Sequence, residues 1–315
     1  MAITARILRP GDEGGLEAFL KRHADSSMFL RGNLRRGGLI DRGEAYQATY
    51  VGAFDGAALA GVAAISWGGY LQLQAPAYLA EAVRAVDAAR PRAIKGISGP
   101  FDQVMAARAA LGLTERVTSL DSAEDLFGLD LADLVVPENL ASGELTCRQA
   151  GPDDMPLLVD WRRRYQVEHL NADDDAATLR DARADVNRHL ANGAVWLLEN
   201  HGLPPREVAP LDRSRRDRPA REAWPMAMPV AQANYNSQLP DMVQIGGVWT
   251  PPSLRGHGYA RAAVAGALLA ARARGVARAV LFTGRDNPAA QRAYRALGFA
   301  VVGDYAVVHF SEPVA

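Results

Sequence analysis

The feature that most constrains this chain is that one plan is written in it twice. Each half opens with a short strand, a polar turn and an amphipathic helix. In the first half these are Arg6-Ile-Leu-Arg9, Pro10-Gly-Asp-Glu13 and Leu16 to His23. In the second they are Leu145-Thr-Cys-Arg-Gln149, Gly151-Pro-Asp-Asp154 and Pro156 to His169. The acidic turns supply side-chain acceptors for the open N–H groups of a helix start. Each half also closes alike. Strands at Ala93 to Ser98 and Ala279 to Thr283 precede helices at Phe101 to Leu111 and Pro288 to Leu297. These end as Ala110-Leu-Gly-Leu113 and Ala296-Leu-Gly-Phe299, with the glycines as helix C-caps. Repetition of a whole αβ unit implies two tandem domains. The expected division is 1–138 and 139–315, with the boundary near Pro137 to Gly143, and 315 residues suit two domains.

Between these ends each half carries a hairpin. In the first, Tyr46 to Phe54 and Ala58 to Trp67 flank Asp55-Gly56, a strong turn signal. In the second, Ala194 to Glu199 runs to Asn200-His-Gly202, but its partner comes only at Pro229 to Tyr235. The residues between, about 203–227, hold six Arg and several Pro without a helical or strand period. They read as an exposed insertion at a hairpin tip. Their arginines are offset by Glu207, Asp212, Asp217 and Glu222, so the local field largely cancels.

Composition narrows the function classes. With 35 Lys+Arg against 36 Asp+Glu, the chain has no electrostatic footprint for nucleic acid or an anionic membrane. One cysteine, Cys147, excludes an internal disulfide framework and a cysteine-based zinc cluster. The start, Met1-Ala-Ile-Thr-Ala-Arg-Ile, lacks the apolar run of a signal peptide. No stretch reaches the roughly 18 apolar residues of a membrane span. The expectation is a cytoplasmic protein, monomer or homodimer, without a metal.

The chemistry is carried by Val243 to Val264. A strand runs to about Thr250 and is stopped by Pro251 and Pro252, which donate no N–H. Then comes Arg255-Gly-His-Gly-Tyr-Ala260, followed by an Ala-rich helix to Arg274 and Gly275. Strand, Gly-rich turn and helix form a phosphate cradle: turn amides converge and the helix N-terminus carries partial positive charge. The P-loop is excluded because Gly-Lys-Ser/Thr is absent. The dinucleotide fingerprint is excluded because the register from Gly256 ends on Arg261.

What remains, Arg-x-x-Gly-x-Ala, resembles the acyl-CoA pyrophosphate loop of the GCN5-related N-acetyltransferase (GNAT) superfamily. A second segment strengthens the resemblance. Asn287-Pro-Ala-Ala-Gln-Arg-Ala-Tyr294-Arg-Ala-Leu-Gly298-Phe299 is similar to that family's Asn-x-x-Ala-x-x-x-Tyr-x-x-x-Gly-Phe helix. The resemblance covers roughly 145–315 by motif and the first half by layout. It implies an α/β (α+β) fold of two tandem GNAT-like domains, each a mixed, mostly antiparallel twisted sheet flanked by helices.

The resemblance also implies residue roles. Backbone amides of Arg255, Gly256, His257, Gly258, Tyr259 and Ala260 would hold the pyrophosphate of acetyl-CoA, the co-substrate. Arg261 would reach a CoA phosphate. The backbone at Val248, Trp249 and Thr250 would pair with the pantetheine arm and hold the acetyl carbonyl. Asn287 would hydrogen-bond the pantetheine, and Tyr294 would offer a proton to the departing thiolate. The implied activity is transfer of an acetyl group to a primary amine of a small molecule or peptide, by direct attack in a ternary complex. Longer-acyl or aminoacyl transfer, and a non-catalytic acyl-CoA-binding module, are the alternatives.

The general base is open at this level. Where many family members place a Glu on the strand before the loop, this chain has Gln244. Glu168, His169 and Asp241 are the alternatives, with a water relay as a fourth. The first half has Leu71-Gln-Leu-Gln-Ala-Pro76 in place of the Gly-rich turn and Arg108 where Tyr294 stands. It is therefore expected to lack a cofactor loop, to wall the substrate cleft and to extend the sheet.

Overall fold

The computed structural model describes residues 3–201 and 227–315. Apart from Ala227, the expected insertion at 203–227 lies outside the described residues. The first half runs β1 (Ile3–Ile7), α1 (Glu13–Lys21), α2 (Met28–Gly37), β2 (Ala48–Asp55), β3 (Ala58–Ser66) and β4 (Tyr70–Gln74). It continues with α3 (Leu79–Ala89), β5 (Ile94–Gly99), α4 (Phe101–Ala110) and β6 (Thr118–Asp130). A short helix, α5 (Glu138–Ala141), leads into the second half. There follow β7 (Leu145–Gln149), α6 (Met155–His169), α7 (Ala176–Ala191), β8 (Val195–Asn200) and β9 (Met228–Gln238). The chain ends with β10 (Met242–Trp249), α8 (Tyr259–Ala273), β11 (Arg278–Gly284), α9 (Pro288–Arg295) and β12 (Ala300–Val314).

Local chemistry accounts for the elements that matter here. Asp55-Gly56 turns β2 into β3, with Gly56 at φ +60°. Asp175 caps α7 by accepting from the Thr178 N–H at 2.8 Å, a stop-and-start signal that the repeat pattern alone does not reveal. In α8 alanine loses no rotamer freedom and keeps the buried face thin. The helix therefore lies close on the sheet: a Cβ at Gly266 would come within 2.5 Å of the Cys147 sulfur. Burial pushes the Cys147 thiol up to about 12, so it stays protonated and unreactive at neutral pH.

The described strands form one sheet in the order β1-β2-β3-β4-β5-β12-β6-β11-β10-β9-β8-β7. All neighbours are antiparallel except β4 with β5 and β10 with β11. The halves thus share one mostly antiparallel sheet, twisted as such sheets are and flanked by helices.

Its centre shows a reciprocal exchange. β6, from the first half, lies between β11 and β12. β12, from the second, lies between β5 and β6. The cores follow the exchange. Phe127, Leu129 and Leu131 bury among the α8 side chains of the second half. Ala306, Val308 and Phe310 bury in the core of the first. A fully buried large apolar side chain contributes about 1.5–3 kcal/mol, so each half depends on the other's last strand.

Candidate active site

The parallel pair β10 and β11 is short. It runs only from Met242 opposite Arg278 to Gln244 opposite Val280. Beyond that the strands splay, leaving the edge of β10 that faces β11 without a partner among the described residues. On its other side β10 is irregular too. Between Gly246 (opposite Asn234) and Trp249 (opposite Gln232) one extra residue is inserted. Gly247 makes this bulge possible: its φ is +54°, and a Cβ there would sit 2.6 Å from the Asn234 amide nitrogen. The bulge re-aims the backbone of Gly247 and Val248 next to the open edge.

The turn after β10 leads from the same strand end into α8. A short 3-10 turn at Pro252–Leu254 brings Arg255 round, and Gly256 (φ +86°) and Gly258 (φ +77°) set the start of α8. No acceptor among the described residues faces the N–H groups of Gly256 to Arg261. His257 stacks on Tyr259 with ring centroids 5.5 Å apart, and the Tyr259 hydroxyl accepts from the Asn200 amide at 2.9 Å. Ala260 follows in the first turn. Arg261 keeps its Nε buried without a partner among the described residues. The result is a row of convergent donors at a helix N-terminus, an arrangement suited to a pyrophosphate.

Arg255 is turned the other way. Its guanidinium pairs with Glu168 at 2.7 Å, donates from Nε to the Thr250 carbonyl at 3.1 Å and lies 5.1 Å over the Trp249 ring. It straps the loop to the end of α6. The hydrogen bond from Arg255 holds the Glu168 carboxyl below the usual carboxylate range, so Glu168 is an ion-pair partner poorly suited to accept a proton. His169 packs edge-on against Trp249, and burial lowers its pKa. Asp241 sits at the opposite end of β10, paired with Arg31 at 3.2 Å. The structure thus brings Glu168 and His169 to the splay and leaves Asp241 far down the strand.

On the far wall, α9 begins at Asn287, whose side chain accepts from the Ala290 N–H at 3.1 Å. Among the described residues nothing accepts from the amide nitrogen of Asn287. Tyr294 is 9% exposed and packs edge-on against Phe127 and Phe299. Burial, with smaller contributions from Tyr165 and Glu124, pushes its phenol well above the ordinary tyrosine value. It is therefore a neutral O–H at physiological pH.

The opposite face of the splay lies under α6 and α7. Buried side-chain atoms there lack partners among the described residues: Gln232 Oε1, Asn234 Oδ1, Gln244 Oε1 and Thr250 Oγ1. Orphaned buried acceptors are costly and ask for a donor. Arg162 is held by Asp185 at 2.7 Å beside a small cavity shared with His189 and Asn234. The first half closes this side, with the Tyr46 hydroxyl accepting from Asn192 at 2.7 Å.

The equivalent turn of the first half is closed by its own side chains. The Ala75 N–H after β4 donates to Gln103 Oε1 at 2.6 Å. Ser26 and Ser27 both donate to Gln74 Oε1, at 2.7 and 3.2 Å. Arg108, at the position of Tyr294, is taken up by Asp121 at 2.7 Å. Among the described residues no group of three or more His, Cys, Asp or Glu is placed to hold a metal ion. No described helix is long and apolar enough to cross a membrane.

Residues 220–299 match the model of the Acetyltransferase (GNAT) family. No curated protein matches the sequence. Among solved structures, a Drosophila protein is similar with a TM-score of 0.63 and 12% identity, covering 98% of this chain and 99% of its own. A GCN5-related N-acetyltransferase from Sphaerobacter thermophilus is similar with a TM-score of 0.56 and 13% identity, covering 99% and 95%. A tandem GNAT protein from the clavulanic acid biosynthesis pathway gives 0.55 and 14% identity, covering 98% and 97%. These likenesses extend over both halves, so the chain has the tandem GNAT fold, and residues 220–299 of its second half match the GNAT family model.

Proposed function

We propose that the protein transfers the acetyl group of acetyl-CoA to a primary amine of a small molecule or peptide, using one site in the second half. The observation that carries this reading is the row of open amides from Gly256 to Arg261 at the mouth of the β10/β11 splay. Those amides and the α8 N-terminus would hold the pyrophosphate, with Arg261 beside them. The bulged backbone at Val248 to Thr250 would pair with the pantetheine and hold the acetyl carbonyl. A fixed N–H aimed where the oxyanion develops stabilises the tetrahedral intermediate better than water does. Asn287 would bind the pantetheine, and Tyr294 would protonate the leaving sulfur. Glu168 serves this site by holding Arg255 and through it the loop.

The same reading divides the chain at 138/139 and makes the first half a GNAT-like unit without a cofactor loop, as the Ala75–Gln103 hydrogen bond supports. Calorimetry with acetyl-CoA tests it. The expected result is one site per chain, and free thiol on adding primary amines. No binding, or two sites, would sink the reading. Thiol release from longer acyl-CoAs but not acetyl-CoA would shift it to another acyl donor.

A further inference from the structure

The exchanged strand β6 brings a carboxylate into the second half's site from the first half of the chain. Glu124 stands opposite Gly284, the last residue of β11, where that strand has left β10. Gly284 has no side chain to cover it, and its Cα faces Asp286 and Ser122. On the other side Glu124 is opposite Tyr305 of β12, whose ring stacks on Phe282 at 4.7 Å. The Ser122 hydroxyl donates to Glu124 Oε1 at 2.5 Å, fixing one carboxylate oxygen.

What distinguishes Glu124 is the company it lacks. Three other carboxylates around the cleft are neutralised by arginines, Glu168 by Arg255, Asp185 by Arg162 and Asp125 by Arg285, and Asp286, which has no arginine partner among the described residues, is exposed where Glu124 is half-buried. Among the described residues no cation pairs with Glu124. The groups acting on it are Ser122 and Asp125 on β6 and Asp286 beyond β11. It acts in turn on the phenols of Tyr165 on α6 and Tyr294 on α9. Burial first, then the charges of Asp286 and Asp125, raise its pKa, towards the range in which a carboxylate works as a base. At the matching place in the first half, opposite Gly99 at the end of β5, the exchanged strand β12 carries Ala306.

We propose that Glu124 is the general base of this site, so that the catalytic set is completed by a residue of the non-catalytic half. This rests on the acetyl-transfer reading above. In the step, the amine nitrogen bonds to the thioester carbonyl carbon and gives its proton to the Glu124 carboxylate. The carbon–sulfur bond then breaks, and the thiolate takes the Tyr294 proton. Passage of the proton from Glu124 to the phenolate restores both groups, leaving amide and free CoA thiol.

Glu124→Gln keeps the shape and the acceptor for Ser122. Acetyl-CoA affinity by calorimetry should stay within about twofold, while turnover with a panel of a diamine, an amino sugar, an amino acid and a lysine peptide falls about 10²–10³-fold. The acid limb of the kcat/KM profile, set in the wild type by the raised carboxyl, should vanish. Glu124→Ala should regain turnover with added formate. A second readout needs no acceptor. A raised folded-state pKa means the charged form weakens the fold, so Glu124→Gln should melt higher than wild type at pH 8. The difference should close below the ordinary glutamate pKa. Full turnover with an intact acid limb overturns the assignment, as does absence of that stability crossover. If wild type fails to bind acetyl-CoA, the acetyl-transfer reading falls and the assignment with it. If wild type binds and turns over, only Glu124 is judged.

Discussion

A single charge in the first turn of α8 separates anion binding from fold maintenance. Ala260 is the second residue of that helix and half-buried. Aspartate there suits a helix N-terminus, gaining about 0.3–1 kcal/mol from the dipole against a propensity loss of about 0.5 kcal/mol. The fold should therefore melt within a degree or two of wild type. A pyrophosphate held by the same amides would lie about 6 Å from the new carboxylate, and at an effective dielectric of about 20 one such charge pair repels by about 3 kcal/mol. Screening trims this to about 2–3 kcal/mol at physiological salt, which is about 30- to 150-fold in Kd. The assay is calorimetry with acetyl-CoA at low and high salt, beside a thermal melt. A folded Ala260→Asp protein that binds acetyl-CoA as wild type does would refute the loop assignment. Gly258→Val is a poorer probe, because φ +77° strains any replacement whether or not an anion binds.

Three further outcomes are expected. Tyr294→Phe should lower kcat about 10²-fold with acetyl-CoA binding kept, and unchanged turnover with chemistry rate-limiting would return Tyr294 to a packing role. His189 has its pKa lowered to about 4 by burial and by Arg162, so the unfolded chain takes up a proton that the folded one refuses. Its contribution is full above about pH 6.5 and is lost as pH falls towards 4, by at most about 3 kcal/mol; His189→Gln should flatten that limb in denaturant titrations, and an identical limb would exclude His189 as its cause. Asn200 and Met228 are register partners across β8 and β9, so replacing residues 203–227 with an Asn-Gly turn should leave a folded protein, as judged by circular dichroism.

The repeat and its motifs were legible because they are local. Leu145–Gln149, the Asp55-Gly56 turn, the Arg255 to Ala260 loop and the Asn287 cap each signal themselves within a few residues. β6 was not legible: Asp121, Glu124 and Asp125 interrupt any apolar alternation, because one end of this strand faces a cleft. Its buried end, Leu126 to Leu129, is too short to announce a strand that crosses between halves. Glu124 was missed for the same reason. The motifs of the second half carry no sign of it, because strand exchange brings it from more than a hundred residues upstream of the loop. Glu168 lies where the layout implies, but only the structure shows Arg255 holding its carboxylate.

The exchange of β6 and β12 also bears on synthesis. Of these strands β12 is made last, yet it is the strand that closes the sheet of the first half against β5. Until β12 emerges, β5 and β6 expose edges that the finished sheet buries, and such edges invite pairing with other chains. The first half therefore cannot be completed while the second is being translated, although N-terminal domains ordinarily fold first. Slow translation of the second half should raise aggregation, and a chaperone that shields strand edges should matter more here than for a chain whose two domains each keep their own strands.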